Sequence, residues 1–281
     1  ESMSTKIPVH AIYGLLGSNG AGKTTFLSVL AQLTRPTYGS VMIGGMHIDK
    51  LPPHRKKEIA LVPQDARLPA ERTALDYLIY IGILKGMPKK EAHMQSVSLL
   101  HTFGLEQVMQ RHLKEYSNGM RKLVNIAQAF LGSPKIVLLD EPITGLDPKM
   151  AVKVERFLLE HQKGKTYILC SHHISVIERI CTHVGILHEG HLVLDKHIRT
   201  LQDKEHVLNI RVDQIKKGIL GHIRKIKSVR EVFLNESENE MRVIQDSEAM
   251  HRVLTLLDKE NVRVEAVRRG ESLRDFFLKY L

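Results

Sequence analysis

Three short stretches hold the residue types that handle phosphate. The first, Gly17-Ser18-Asn19-Gly20-Ala21-Gly22-Lys23-Thr24, has the spacing G-x-x-x-x-G-K-[ST]. Small residues there let successive backbone N–H groups close around phosphate oxygens. Lys23 reaches the β- and γ-phosphates as a point charge, and the Thr24 hydroxyl is placed to hold Mg²⁺. The second stretch, "IVLLDEP", ends an apolar run on two acids. Asp140 falls at the C-terminal end of that run, where ligands meet an open parallel sheet, and its carboxylate suits Mg²⁺, directly or through water. Glu141 beside it suits an attacking water that must be oriented or deprotonated. A helix N-cap accounts for one acid here, but not for both after four apolar residues. The third is His172, after "TYILC" and Ser171. An imidazole at a strand end hydrogen-bonds a γ-phosphate or a lytic water. A lone histidine is otherwise a structural residue, so this one draws its weight from its place in chain order.

The elements that must position these groups follow from the apolar pattern. "IPVHAIYGLL" predicts a strand over residues 7–16 entering the glycine loop. A helix is predicted over residues 24–33, with Phe26, Leu27, Leu30 and Leu33 on one face. "SVMIGGMHI" reads as a hairpin around Gly44-Gly45, and "EIALVPQ" as a strand stopping at Pro63. Residues 73–112 are helical in pattern, broken at Gly86-Met87-Pro88 and at Gly104. A helix follows over residues 117–131 with Ser117 as N-cap. "KIVLLDEP" and "KTYILC" read as strands buried on both faces. Between them "DPKMAVKVERFLLEHQKG" reads as a helix that starts at Asp147 and ends by Gly164. "ISVIERIC" is a short helix, and "VGILHEGHLVLD" a hairpin turning at Glu189-Gly190. After about Lys204 the order becomes β-α-β-β-α-β, a small split βαβ unit. The expected class is therefore α/β. A P-loop domain spans residues 1–203, with a helical subdomain over about 70–130, and a small α+β domain spans 204–281.

Composition narrows the setting. The 281 residues are 43% hydrophobic and 26% charged, enough to bury a core. A formal net charge of +10 leaves three readings open: a solvated surface, nucleic acid, or an anionic membrane leaflet. Cys170 and Cys181 are the two cysteines; they form no CxxC pair and read as buried free thiols. Sixteen histidines are scattered, and "HEGH" at 188–191 is too short for an HExxH zinc helix. No apolar run approaches the ~18 residues needed to span a bilayer, and no signal-peptide pattern is read at the start. Work at a membrane would then need another chain to cross it.

The order of motifs carries a resemblance. A glycine loop is followed by Gln64 after a strand, a helical insert, "EYSNGMRK", "LLDEP", "GLDP" and "SHH". Over residues 7–201 this resembles the nucleotide-binding domain of an ABC transporter ATPase. "YSNGM" just upstream of "LLDEPITGLDP" is its most specific element, and no NKxD base reader of a GTPase is found. The "YSxGM" form is similar to exporter-branch ATPases whose ATPase and permease are separate chains. "ESLRDFFLKYL" resembles the C-terminal extension common in that branch.

The resemblance implies ATP and Mg²⁺ as ligands and the following roles. Gly17, Ser18, Asn19, Gly20, Ala21, Gly22, Lys23, Thr24 and Thr25 cradle the phosphates. Gln64 touches Mg²⁺ or the water and signals to a permease, while Thr24 and Asp140 also serve the metal. Ser117, Asn118 and Gly119 form a signature loop offered to ATP on a second subunit, and Asp147 crosses the dimer seam. Glu141 is the base, and His172 contacts the γ-phosphate. Partners so implied are a multi-span membrane permease and a second ABC ATPase, identical or not, with no nucleic acid; the place is the cytoplasmic face of the membrane. Asn118 replaces the usual second glycine, which leaves backbone donors intact. Sixteen residues precede Gly17, and "STKIP" matches the end of the family's second strand. The first strand, with its adenine-stacking aromatic, is thus expected to be missing, and Tyr13 lies too close to the loop to replace it.

Two other functions compete. A soluble ABC ATPase acting on nucleic acid or ribosomes usually carries a long coiled coil or tandem ATPase domains, and neither pattern is read here. A non-catalytic nucleotide-responsive module is suggested by the missing strand and opposed by Lys23, Asp140, Glu141 and His172. For residues 204–281, regulation or dimer stabilisation stands beside a packing extension.

Overall fold

The computed structural model describes residues 3–65, 67–202, 207–216, 218–235, 239–245, 249–270, 273, 276 and 277. The chain divides into two compact units, Glu1–Asp195 and Lys196–Leu281.

The first unit is built on a six-stranded sheet. Its strands are β1 (Ile12–Leu16), β4 (Ile59–Val62), β5 (Ile136–Asp140), β6 (Thr166–Ser171), β7 (His183–His188) and β8 (His191–His197), in the order β4-β5-β6-β1-β7-β8. The pairs β4–β5, β5–β6, β6–β1 and β1–β7 are all parallel. All five residues of β1 are buried, as are the last four of β5 and the last five of β6. These strands lie inside the sheet and are covered on both faces, which is why they read as unbroken apolar runs. The edge strand β4 alternates instead. A separate two-stranded hairpin pairs β2 (Met42–Ile43) with β3 (Met46–His47) through Gly44-Gly45.

Helix α1 (Lys23–Leu30) follows the glycine loop and α2 (Pro53–Lys56) precedes β4. Then come α3 (Ala74–Leu84), α4 (Lys89–Thr102) and α5 (Asn118–Phe130), a cluster in which α3 packs on both others. Helices α6 (Pro148–Glu160) and α7 (Ile174–Ile180) precede β6 and β7. Phe157 of α6 ties these layers together. Its ring centroid lies 4.6 Å from Phe103, just beyond α4, and 4.6 Å from Phe130 of α5, which in turn meets Tyr167 of β6 at 6.0 Å. Such aromatic chains add to plain area burial.

Three local expectations are corrected. The strand begins at Ile12, not residue 7, because the chain turns at His10, whose φ is 61°, and Ala11 N–H donates to the Pro8 carbonyl at 3.3 Å. Helix α1 stops at Leu30, because Gln32 takes a φ of 59°. Leu33 therefore leaves the apolar face and stands 70% exposed. "STKIP" forms no strand; Thr5 instead donates to Asp195 Oδ2 at 2.6 Å.

The second unit opens with α8 (Ile198–Gln202) and continues β9 (Val207–Val212), α9 (Ile219–Arg224), β10 (Val229–Asn235), β11 (Glu240–Gln245), α10 (Ala249–Lys259) and β12 (Val264–Arg269). Its sheet order is β10-β11-β9-β12, antiparallel throughout, the split βαβ arrangement. Ile219 and Ile223 of α9, with Val253 and Leu257 of α10, join Leu208, Ile210, Met241 and Val243 in one core. Most of "ESLRDFFLKYL" lies outside the described residues.

Candidate active site

The sheet order sets three adjacent strands, β5, β6 and β1, so that their C-terminal ends open side by side. Each end carries one of the chemical stretches. Ligands of open parallel sheets bind there.

The glycine loop leaves β1. Gly20 and Gly22 have φ of 82° and 105°, the left-handed region that favours glycine. Gly17 is needed for a different reason: a Cβ there would lie 2.5 Å from the Leu187 carbonyl oxygen. The turn after β7 braces the loop, with Gly190 N–H donating to the Ala21 carbonyl at 3.2 Å. Lys23 is buried, and its Nζ donates to the carbonyls of Gly17 (2.8 Å) and Ser18 (3.0 Å), spanning the loop from inside. Asn19 and Gly20 at the tip are exposed, as are Thr24 and Thr25 in the first turn of α1. A glycine cradle running into a helix start is the arrangement that suits a phosphate.

Thr24 Oγ1 donates to Asp140 Oδ2 at 2.7 Å, joining the loop to the end of β5. Asp140 is 2% exposed, and its other oxygen, Oδ1, is buried without a partner. Burial pushes the Asp140 carboxyl above its ordinary range. A hydroxyl and a carboxylate with a spare buried oxygen form a hard, all-oxygen donor set, which suits Mg²⁺.

Glu141 is constrained by both its backbone and its side chain. Its φ is 46°, and its N–H donates to the Cys170 carbonyl at 3.0 Å, which turns the side chain across the end of β6. Oε1 accepts from the His172 N–H at 3.0 Å and faces His172 Nδ1 at 2.8 Å, so Nδ1 is the ring nitrogen that donates. Oε2 accepts from Thr144 Oγ1 at 2.7 Å and from Ser171 Oγ at 3.4 Å. His173 stacks near His172, ring centroids 4.0 Å apart.

The remaining expected residues stand on other elements. Ser117 caps α5, accepting from the Met120 N–H at 3.2 Å, and Asp147 caps α6, accepting from the Met150 N–H at 3.0 Å. Asn118 opens α5, and Gly119 meets Met150 so closely that a Cβ would lie 2.8 Å from its sulfur. The two helix starts are therefore neighbours, with Ser117 and Asp147 both exposed. Gln64 is exposed beyond β4, where Asn125 Nδ2 holds the Pro63 carbonyl at 3.0 Å.

Two side chains escaped the sequence reading. Thr144 is three residues past Glu141, a spacing that the motif itself could have shown. Lys122 of α5 donates to the Thr144 carbonyl at 2.7 Å. Burial pulls Lys122 below the ordinary lysine value, while Glu141, Asp65 and Asp140 pull it back up.

Comparison with known proteins decides the family. The family model described as "ABC transporter" matches residues 1–144, just over half of the chain. The chain belongs to the ABC transporter family. It is similar to "ABC transporter A family member 8" of Dictyostelium discoideum, at 35% identity over 72% of this chain and 24% of that protein. It is also similar to the "Bacitracin transport ATP-binding protein BcrA" of Enterococcus faecalis, at 33% identity over 73% of this chain and 66% of that one. Among solved structures, the ATP-binding cassette MJ0796, dimeric in a post-hydrolysis state with ADP and Pi, superposes with a TM-score of 0.63 at 26% identity, covering 69% of this chain and 88% of that one. The first unit is an ABC-type ATPase domain, and such domains bind ATP. No helix among the described residues is long and apolar enough to cross a membrane.

Proposed function

We propose that this chain binds MgATP between two ABC ATPase subunits set head to tail, hydrolyses it with Glu141 as general base, and so drives a separate multi-span permease at the cytoplasmic face of a membrane. The observation that carries the proposal is the join of three strand ends by two short contacts, Thr24–Asp140 at 2.7 Å and Glu141–His172 at 2.8 Å. These contacts support a metal pair and a base–imidazole pair beside a phosphate loop.

In this reading Gly17, Ser18, Asn19, Gly20, Ala21, Gly22 and Thr25 present the loop to the phosphates. Lys23 exchanges its carbonyl partners for phosphate oxygens. Thr24 and Asp140 hold Mg²⁺, with Gln64 completing the metal or water contact. Bound Mg²⁺ supplies charge neutralisation on the β- and γ-phosphates. Glu141 takes the proton of the attacking water, and His172, oriented by Glu141 through Nδ1, contacts the γ-phosphate. Ser117, Asn118 and Gly119 meet the ATP of the partner subunit with the N-terminus of α5, and Asp147 crosses the seam. Exposure of both helix starts supports this use. Similarity to a bacitracin transport ATP-binding protein supports transport as the work driven, and the "YSxGM" resemblance supports export as its direction.

The test is ATP turnover by the purified chain beside Glu141→Gln. Losing the base should lower kcat by about 10²- to 10⁴-fold. Turnover that is equal in the two proteins would contradict the assignment.

A further inference from the structure

Glu141 is held by more than its own strand. Thr144 Oγ1 donates to Oε2 at 2.7 Å, and Lys122 Nζ donates to the Thr144 carbonyl at 2.7 Å. Lys122 lies on α5, whose first residues follow Ser117, while Thr144 lies between Glu141 and the α6 cap Asp147. Thr144 is therefore gripped from two sides: its backbone by the helix that begins at Ser117, its hydroxyl by the carboxylate. We propose that Thr144 and Lys122 are positioning residues for Glu141, and that they tie the start of α5 to the base of the same subunit.

The chemistry of each group fits that task. Glu141 sits at a φ of 46°, a backbone setting that a non-glycine residue holds only when its surroundings insist. Its Oε1 faces His172 Nδ1 and N–H, which leaves Oε2 to be aimed by Thr144, with Ser171 Oγ farther off at 3.4 Å. A hydroxyl donating to an ionised carboxylate is a strong, directional contact. The Lys122 ammonium is partly buried, so its bond to the Thr144 carbonyl is little screened by water, and it adds positive potential near both acids. A base displaced by a fraction of an ångström loses much of its rate advantage, whereas ATP binding through the glycine loop does not involve it.

This inference rests on the proposed role of Glu141 and extends it.

The experiment measures kcat and KM for ATP in the parent chain, Thr144→Val, Thr144→Ser, Lys122→Met and the Val/Met double variant, with fluorescent-nucleotide binding on the same samples. Thr144→Val should lower kcat about tenfold or more, the scale of a lost hydrogen bond to a charged group. KM and nucleotide affinity should stay within about twofold, and Thr144→Ser should regain most of the rate. Lys122→Met should lower kcat in the same sense, and the double variant should fall little further than the worse single one, because both act on one carboxylate. Thr144→Val at parental kcat, or additive losses in the double variant, would overturn the proposal. A parent whose turnover does not depend on Glu141 would instead overturn the reading of the site.

Discussion

At the scale of residues, the site is governed by close approach. Gly17 lies so near the Leu187 carbonyl that a methyl group would come within 2.5 Å of it, and a backbone oxygen cannot swing aside as a side chain can. Gly17→Ala should therefore displace the glycine loop, costing about 1–3 kcal/mol of stability as overpacking does. ATP affinity should fall at least about tenfold, as checked by thermal unfolding and nucleotide titration. An unchanged affinity would mean that the loop tolerates the shift. Most of this residue-level detail was legible only in part. The types and spacing of Gly17 to Thr24, and the acid pair Asp140-Glu141, declare themselves because phosphate and metal chemistry demand those groups in that order. The Thr144–Glu141 and Lys122–Thr144 contacts did not, because they depend on a turn after β5 and on the register of α5 against it, which no local pattern encodes.

At the scale of elements, helix ends carry the design. Ser117 and Asp147 close the starts of α5 and α6 with their side chains, the ordinary work of an N-cap. The far end of α5 is closed from outside: Lys85, just past α3, donates to the carbonyls of Gln128 (2.8 Å), Ala129 (3.2 Å) and Leu131 (3.1 Å). Burial pulls Lys85 from 10.5 down to about 8. Between those two values the unfolded chain binds a proton that the folded chain has released, so this group's contribution to stability is full above the unfolded value and is lost as pH falls through the folded one. Lys85→Met should flatten the rise in stability with pH across that window. At neutral pH it should also cost about 1–3 kcal/mol, because three carbonyls lose their donor. Thermal unfolding of both proteins from pH 7 to 10.5 checks the difference, and parallel curves would contradict it. The Ser117 cap was readable from sequence, since Ser before a helical pattern is a local signal. The Lys85 cap was not, because 43 residues separate it from Gln128. The ends of α1 and β1 were misplaced where single residues, Gln32 and His10, adopt positive φ that their types do not announce.

At the scale of the whole molecule, the order β4-β5-β6-β1-β7-β8, in which β4, β5, β6, β1 and β7 run parallel, brings residues more than a hundred positions apart to one end of the sheet. The α/β class and the strands were legible, β5 and β6 as apolar runs buried on both faces and the others as strand or hairpin patterns. Their order was not legible, because continuous hydrophobic strands do not state which neighbour they want. Glu141, the Thr24–Asp140 pair and the glycine loop belong to one end of this sheet, whereas Ser117 and Asp147 stand exposed at the starts of α5 and α6. Two copies set head to tail would give each phosphate loop a helix start. The most direct measurement is the mass of the Glu141→Gln chain by size-exclusion chromatography with light scattering, without nucleotide, with ADP, and with ATP at millimolar concentration. The substitution keeps the shape of the side chain and removes the base, so bound ATP should persist. A dimer is expected with ATP and a monomer with ADP or without nucleotide. A monomer that holds ATP would contradict it, because the seam between subunits would then not be where this chain uses its nucleotide.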